Sequence, residues 1–437
     1  MNLEAFNAWM GANPQWLALV LFVVAFLECA AIVGILLPGV VMLFAIAVLA
    51  GSGTLGLGET LLLAFAGGML GDISSYWIGR HFHQNIRRLP VLRHHPVWIA
   101  SAETFFARYG VASLLVGRFI GALRPFLPMV AGMLDMPFGR FLAVSTLAAA
   151  GWSVAYLLPG WATGAAMRLP LPPGFWAEAG VVAGCLALLI GLLIRANLGQ
   201  HRWTSALGAG LSFVLLLALL IGWPHLDALD HGLMALVQEN RSSWANQLMV
   251  AVTRIGDLRT QLAAGVLLAV LLLILRQWRH AAFAAACMLG TALLNDPLKK
   301  LFGRARPEVI ADPLAAFSMP SGHSSASFAF FLVLGLLASR EKSPRVRLTW
   351  LLLALIPAAS IALSRVYLGA HWPSDIIAGA LLAAAVCATC LGLTQWRDPL
   401  PALSPRIWWL ILPAALAVLA VGSGWGLSEA MLRYRPL

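Results

Sequence analysis

The sequence predicts an all-α polytopic membrane protein built in two blocks. Three observations carry that reading. Of 437 residues, 60% are hydrophobic and 11% are charged, more apolar surface than a water-soluble domain has interior to hide. Continuous apolar runs near the length of a spanning helix recur along the chain, without the strict alternation of a membrane β-barrel. Basic residues gather in short loops between these runs, as the positive-inside rule requires. Those loops and three motifs described below account for most of the net charge of +11, so no nucleic-acid partner is expected.

The first block has apolar runs at about 17–37, 40–50, 60–78, 111–134, 141–161 and 177–194. Two are interrupted. Pro38-Gly39 leaves 40–50 too short to span, and Arg118, Arg124, Pro125 and Pro128 break 111–134. Short or broken apolar segments of this kind predict re-entrant hairpins. The first sixteen residues lack a basic stretch and contain Glu4, so no cleavable signal peptide is expected. Arg80, Arg87, Arg88 and Arg93 mark one cytoplasmic loop, and Arg195 and Arg202 another.

The polar connection at 195–202 is the best boundary, dividing the chain into 1–195 and 203–437. The second block has runs at about 206–223, 261–275, 281–294, 324–339, 351–363, 376–393 and 407–424. Basic loops at 276–280, 340–347 and 397–406 predict one cytoplasmic side. The loops at 223–258, 296–319 and 367–373 then face outward. Lys299, Lys300, Arg304 and Arg306 sit on that outward side against the topology rule, and an anion site explains the violation. The five cysteines, Cys29, Cys185, Cys287, Cys387 and Cys390, all lie in apolar runs, so they read as packing residues.

Three stretches of the second block combine into one chemistry. They are Lys299 to Pro307, Pro320-Ser321-Gly322-His323, and Ser364-Arg365 followed by His371 and Asp375. His371 and Asp375 are four apart and share a face if a helix starts near Trp372. A carboxylate beside an imidazole supports a nucleophilic histidine. Lys299, Arg306 and Arg365 supply positive charge for the equatorial oxygens of a phosphoryl transition state. Ser321 and the Gly322 N–H open a helix, whose N-terminus favours anions. His323 is then placed as general acid. Cations stand where a metal enzyme has carboxylates, so no metal and no cofactor are expected.

These stretches, Lys299-x6-Arg306-Pro307, Pro320-Ser321-Gly322-His323 and Ser364-Arg365-x5-His371-x3-Asp375, resemble the three-part signature of the type 2 phosphatidate phosphatase superfamily. The resemblance implies a six-helix membrane domain, with a core at about 206–395, and a phosphohistidine at His371 formed without metal. The run at 407–424 lies outside that core.

In the first block, Glu28 and Asp72 are carboxylates inside apolar runs, and Arg118 and Arg124 are cations in a broken one. Charges at membrane depth persist when paired or lining a wet cavity, so these four are expected to pair. With Gly71-Asp72, Gly117-Arg118-Phe119 and Arg124-Pro125 they resemble the DedA family, which implies movement of lipids such as polyprenyl phosphate between leaflets. Pro38-Gly39-Val40 stands where that family often has Pro-Gly-Glu, leaving Glu28 and Asp72 as proton-carrying candidates.

The combined expectation is a bacterial inner-membrane enzyme with its phosphatase site facing the periplasm. Undecaprenyl pyrophosphate is the expected substrate, and the first block recruits or translocates the polyprenyl phosphate. The alternatives are a phosphatase of phosphatidate, phosphatidylglycerol phosphate or another lipid phosphate on a non-transporting scaffold, and a protein that is primarily a lipid transporter.

Overall fold

The computed structural model describes residues 13–31, 33–36, 38–82, 96–110, 112–118, 124–199, 203–310 and 316–435. Arg87, Arg88, Arg93 and Arg202 lie outside the described residues. Among those described, eight helices are long and apolar enough to cross a membrane, nine if one bent pair counts as a span. The protein is an all-helical polytopic membrane protein. Contacts divide the chain into two compact units, Met1–Leu171 and Pro172–Leu437.

The first unit contains α1 (Pro14–Cys29), α2 (Val33–Leu36), α3 (Gly39–Leu49), α4 (Leu57–Phe82), α5 (Pro96–Tyr109), α6 (Ala112–Gly117), α7 (Phe126–Met133) and α8 (Phe138–Arg168). Among the described residues of this unit, only α4 and α8 are long and apolar enough to span alone. The broken runs around residues 40 and 120 become the short helices α3, α6 and α7, because Pro38 and Pro125 each stand immediately before a helix start. In lipid, apolar burial alone gives helices little reason to associate, so close packing and internal hydrogen bonds hold them. Tyr76 of α4 illustrates both: its ring stacks on Phe141 of α8 at 4.4 Å between centroids, and its hydroxyl donates to the Met136 carbonyl at 2.6 Å.

The second unit contains α9 (Phe175–Leu198), α10 (Thr204–Gly222), α11 (Asp227–Glu239), α12 (Ser243–Ile255), α13 (Leu258–Ile274), α14 (Trp278–Phe302), α15 (Gly322–Ala338), α16 (Pro344–Tyr367), α17 (Pro373–Thr394), α18 (Pro405–Gly424) and α19 (Leu427–Arg433). Its core joins Leu268 and Leu272 of α13, Phe283 of α14, Phe330 and Val333 of α15, and Ala383 of α17.

Two details differ from the sequence reading. The compact units divide before α9, not after it. Leu189 of α9 packs in one cluster with Leu216 and Leu220 of α10, and Glu178 Oε2 accepts from the Leu229 N–H of α11 at 2.7 Å. The stretch at 223–258, read as an outward loop, contains α11 and α12. Each is 13 residues long and carries polar groups on one face, so neither stood out as an apolar run. Both supply side chains to the site below.

Candidate phosphate site and a second buried charge cluster

The three motifs fall at helix ends, where backbone and side chains can converge. Lys299 lies in the last turn of α14, and Arg304 and Arg306 follow in the loop. Ser321 caps α15, its hydroxyl accepting from the Ser324 N–H at 3.4 Å. Gly322 is the first residue of that helix. Arg365 lies in the last turn of α16, and α17 begins at Pro373, one residue later than Trp372. The turn between them needs Gly369, whose φ is 70°, a conformation that side-chain-bearing residues disfavour. The Ser321 N–H donates to the Asp375 carbonyl at 3.0 Å, tying the second motif to the third.

His371 is the centre. Its Nε2 lies 3.0 Å from Nη1 of Arg306. Its Nδ1 lies 3.3 Å from Ser318 Oγ and 3.4 Å from Asp375 Oδ2. Asp375 also accepts from the Ser318 hydroxyl and, at 2.9 Å, from the Trp372 N–H. The carboxylate therefore reaches the imidazole both directly and through Ser318. Burial, followed by the charges of Arg306, Arg365 and Lys299, holds the His371 imidazole well below its ordinary pKa. The ring is neutral at physiological pH, which a nucleophile requires. Burial and the nearby Arg365 pull Arg306 down to about 10.

The remaining predicted residues surround it. Lys299 Nζ donates to the Phe317 carbonyl at 2.9 Å. Arg306 is further fixed by the Ala316 and Ala370 carbonyls, each at 2.6 Å. Arg365 is 1% exposed, and its Nη1 donates to Thr253 Oγ1 at 2.9 Å. His323 Nε2 lies 2.9 Å from Asp257 Oδ1, and Asp257 is paired with Arg254 at 2.8 Å.

Arg304 departs from the sequence reading. It is a buried strut rather than a free anion-binding cation. Its guanidinium bridges Asp230 Oδ2 at 2.5 Å and Asp375 Oδ1 at 2.9 Å, and lies over the Trp223 ring at 4.5 Å. Asp230 also accepts from the Ser374 N–H at 2.9 Å. Asp230, Thr253, Asp257 and Ser318 were missed by sequence reasoning. The one signal available was that carboxylates recur in a segment flanked by membrane helices.

In the first unit the four predicted residues form two buried ion pairs, Asp72 with Arg118 and Glu28 with Arg124. Both guanidinium groups lie over the Trp152 ring, at 5.0 and 4.2 Å, and Arg124 Nη2 reaches Cys29 Sγ at 3.0 Å. Glu28 Oε2 and the Nε atoms of both arginines are buried without hydrogen-bond partners among the described residues. Gly39 stands against the cluster, where a Cβ would run into Cγ of Glu28.

Comparison with known proteins finds matches to both parts of the chain. Residues 280–399 match the model of the PAP2 superfamily, and residues 37–162 match that of the VTT domain. An inner membrane protein of Escherichia coli, YabI, is 37% identical over 147 residues, covering 34% of this chain and 58% of its own length. An uncharacterized membrane protein of Buchnera aphidicola from Acyrthosiphon pisum is 34% identical over 35% of this chain and 59% of its own. The chain thus spans somewhat over half the length of these relatives. A transmembrane PAP2 type phosphatidylglycerolphosphate phosphatase from Bacillus subtilis aligns over 44% of this chain and 97% of its own, at 23% identity and a TM-score of 0.39. The chain is a fusion of a DedA-type VTT domain with a domain of the PAP2 superfamily.

Proposed function

We propose that the second unit is a metal-independent phosphatase of membrane lipid phosphates that works through a phosphohistidine at His371. The observation that carries this reading is the buried, neutral His371 with Arg306 on Nε2 and an Asp375–Ser318 pair on the Nδ1 side. A guanidinium only donates, so Nε2 bears the lone pair and Nδ1 the proton. When a phosphate enters, Arg306 can turn its donors from Nε2 to the phosphoryl oxygens. Nε2 then attacks phosphorus as the bond to the leaving oxygen breaks. Arg306, Arg365 and Lys299 balance charge on the equatorial oxygens, with Ser321 and the Gly322 N–H at the helix start. His323, held by Asp257, protonates the leaving oxygen and then takes a proton from the water that attacks the phosphohistidine.

The substrate we favour is undecaprenyl pyrophosphate at the periplasmic face of the bacterial inner membrane. Attack on its terminal phosphorus releases inorganic phosphate, after hydrolysis, and leaves the monophosphate in the lipid. That product must return across the bilayer for reuse, and the DedA-type unit is proposed to recruit or translocate it. Its paired Glu28, Asp72, Arg118 and Arg124 are the groups a lipid phosphate and a proton would meet. Phosphate release by the purified full chain, across a panel of undecaprenyl pyrophosphate, phosphatidate and phosphatidylglycerol phosphate, tests the reading. Preference for the polyprenyl substrate is the expected result, and turnover retained in His371→Ala would remove the mechanism.

A further inference from the structure

Arg365 is held from an unexpected direction. Besides Thr253, its Nη1 donates to the Tyr434 hydroxyl at 2.7 Å, and its guanidinium carbon lies 5.3 Å from the centre of the Tyr434 ring. Its Nε is buried and has no hydrogen-bond partner among the described residues, while two acceptors on Nη1 fix much of the guanidinium. Tyr434 belongs to the segment after α18, beyond the stretch that matches the PAP2 superfamily.

That segment is anchored at both ends. Arg254, the partner of Asp257, donates through Nη2 to the Trp425 carbonyl. Arg241 donates to the Tyr434 carbonyl at 3.0 Å and is itself held by Gln238 Oε1 and Asn246 Oδ1, both at 3.0 Å. Tyr434 belongs to one apolar cluster with Val250, Leu368 and Ala370, the last adjacent to His371. A tail merely covering apolar surface needs no hydrogen bond to a buried cation.

We propose that Tyr434 is a positioning residue of the phosphatase site, orienting the Arg365 guanidinium for the phosphate; this rests on the phosphatase reading above. The physical role is pre-organisation. An arginine fixed before the phosphate arrives loses less freedom on binding it and needs no rearrangement as charge develops.

The test uses the purified full chain, with orthovanadate as a phosphoryl transition-state probe and a short-chain lipid phosphate as substrate. Tyr434→Phe is expected to weaken vanadate binding about tenfold, the scale of one hydrogen bond to a charged group. It should lower kcat more than it changes KM, with the protein still folded and inserted. In an Arg365→Lys background the same substitution should have little further effect, because it acts through Arg365. Wild-type affinity in Tyr434→Phe, or an undiminished penalty in the Arg365→Lys background, overturns the proposal. A wild type that neither hydrolyses nor binds vanadate instead removes the phosphatase reading beneath it. Should Tyr434→Phe not fold, 3,5-difluorotyrosine at position 434 keeps the ring and oxygen and lowers the phenol pKa. Vanadate affinity should then gain a pH-dependent step absent from the wild type, and a flat profile overturns the proposal.

Discussion

Nη1 of Arg306 sits 3.0 Å from Nε2 of His371. A cation so placed disfavours a second positive charge on the ring, and burial adds to the effect. The imidazole therefore remains neutral below the pH at which an ordinary histidine titrates, 6.5.

The first prediction concerns pH. The acidic limb of kcat/KM should lie below 6.5, because His371 is the base form until its lowered pKa is reached. Arg306→Gln removes one of the charges that depress it, so the limb should move to higher pH as well as the rate falling. A pH–rate profile of both proteins decides this; an unmoved limb would mean that another group sets it. The linkage runs in the same sense for folding. As pH falls below 6.5, the unfolded chain binds a proton that the folded His371 does not, and stability drops.

His371→Ala should lower phosphate release by about 10⁴-fold or more, as loss of a nucleophile does elsewhere, while the protein still inserts and melts as before. His323→Ala should be milder on substrates whose leaving oxygen needs little protonation. Comparing an alkyl and a nitrophenyl phosphate separates these roles. Neither activity should respond to EDTA, since the phosphate-facing groups are cations.

Arg304 should matter for stability before chemistry. Arg304→Met strands the buried carboxylates of Asp230 and Asp375 without their shared cation, a change worth about 3–5 kcal/mol. Thermal unfolding in detergent should show a clearly lowered midpoint. An unchanged midpoint with lost turnover would return Arg304 to the anion-binding role its sequence position suggests.

Much of the site was legible because its parts are local. Pro320-Ser321-Gly322-His323 and His371-x3-Asp375 each place two chemical groups across a helix start, and a helix start has a known geometry. The partners that hold those groups were not legible. Asp257 reaches His323 across 66 residues and Asp230 reaches Ser374 across 144, distances over which only packing decides who meets. The spans followed from apolar length, whereas α11 and α12 are too short and too polar to be picked out that way. In the first unit, charge balance among four buried groups made pairing foreseeable, and the structure supplies which carboxylate meets which arginine.

The two units should fail separately. Gly39→Ala displaces Glu28, and Arg124→Lys loses the planar fork over Trp152. Each should impair transfer of a polyprenyl phosphate between leaflets in vesicles. Hydrolysis of a short-chain soluble substrate by the same preparations should stay at wild-type rate. Equal loss of both would assign the first unit to scaffolding.

Topology is open to direct labelling. With the five native cysteines replaced, a cysteine at the exposed Glu308 should react with an impermeant maleimide once the outer membrane is opened. Reaction only after inner-membrane lysis would invert the proposed orientation.

The hydrogen bond from Leu229 to Glu178 bears on how this polypeptide can be divided. Because α9 packs with the helices that follow it, a cut in the connection at 195–202 would take from the second unit a helix it leans on. A cut between Leu171 and Pro172 leaves each half with its own helices. Coexpressed as two polypeptides severed there, the halves should each insert, and any benefit of having been one gene would show as the difference between linked and unlinked pairs.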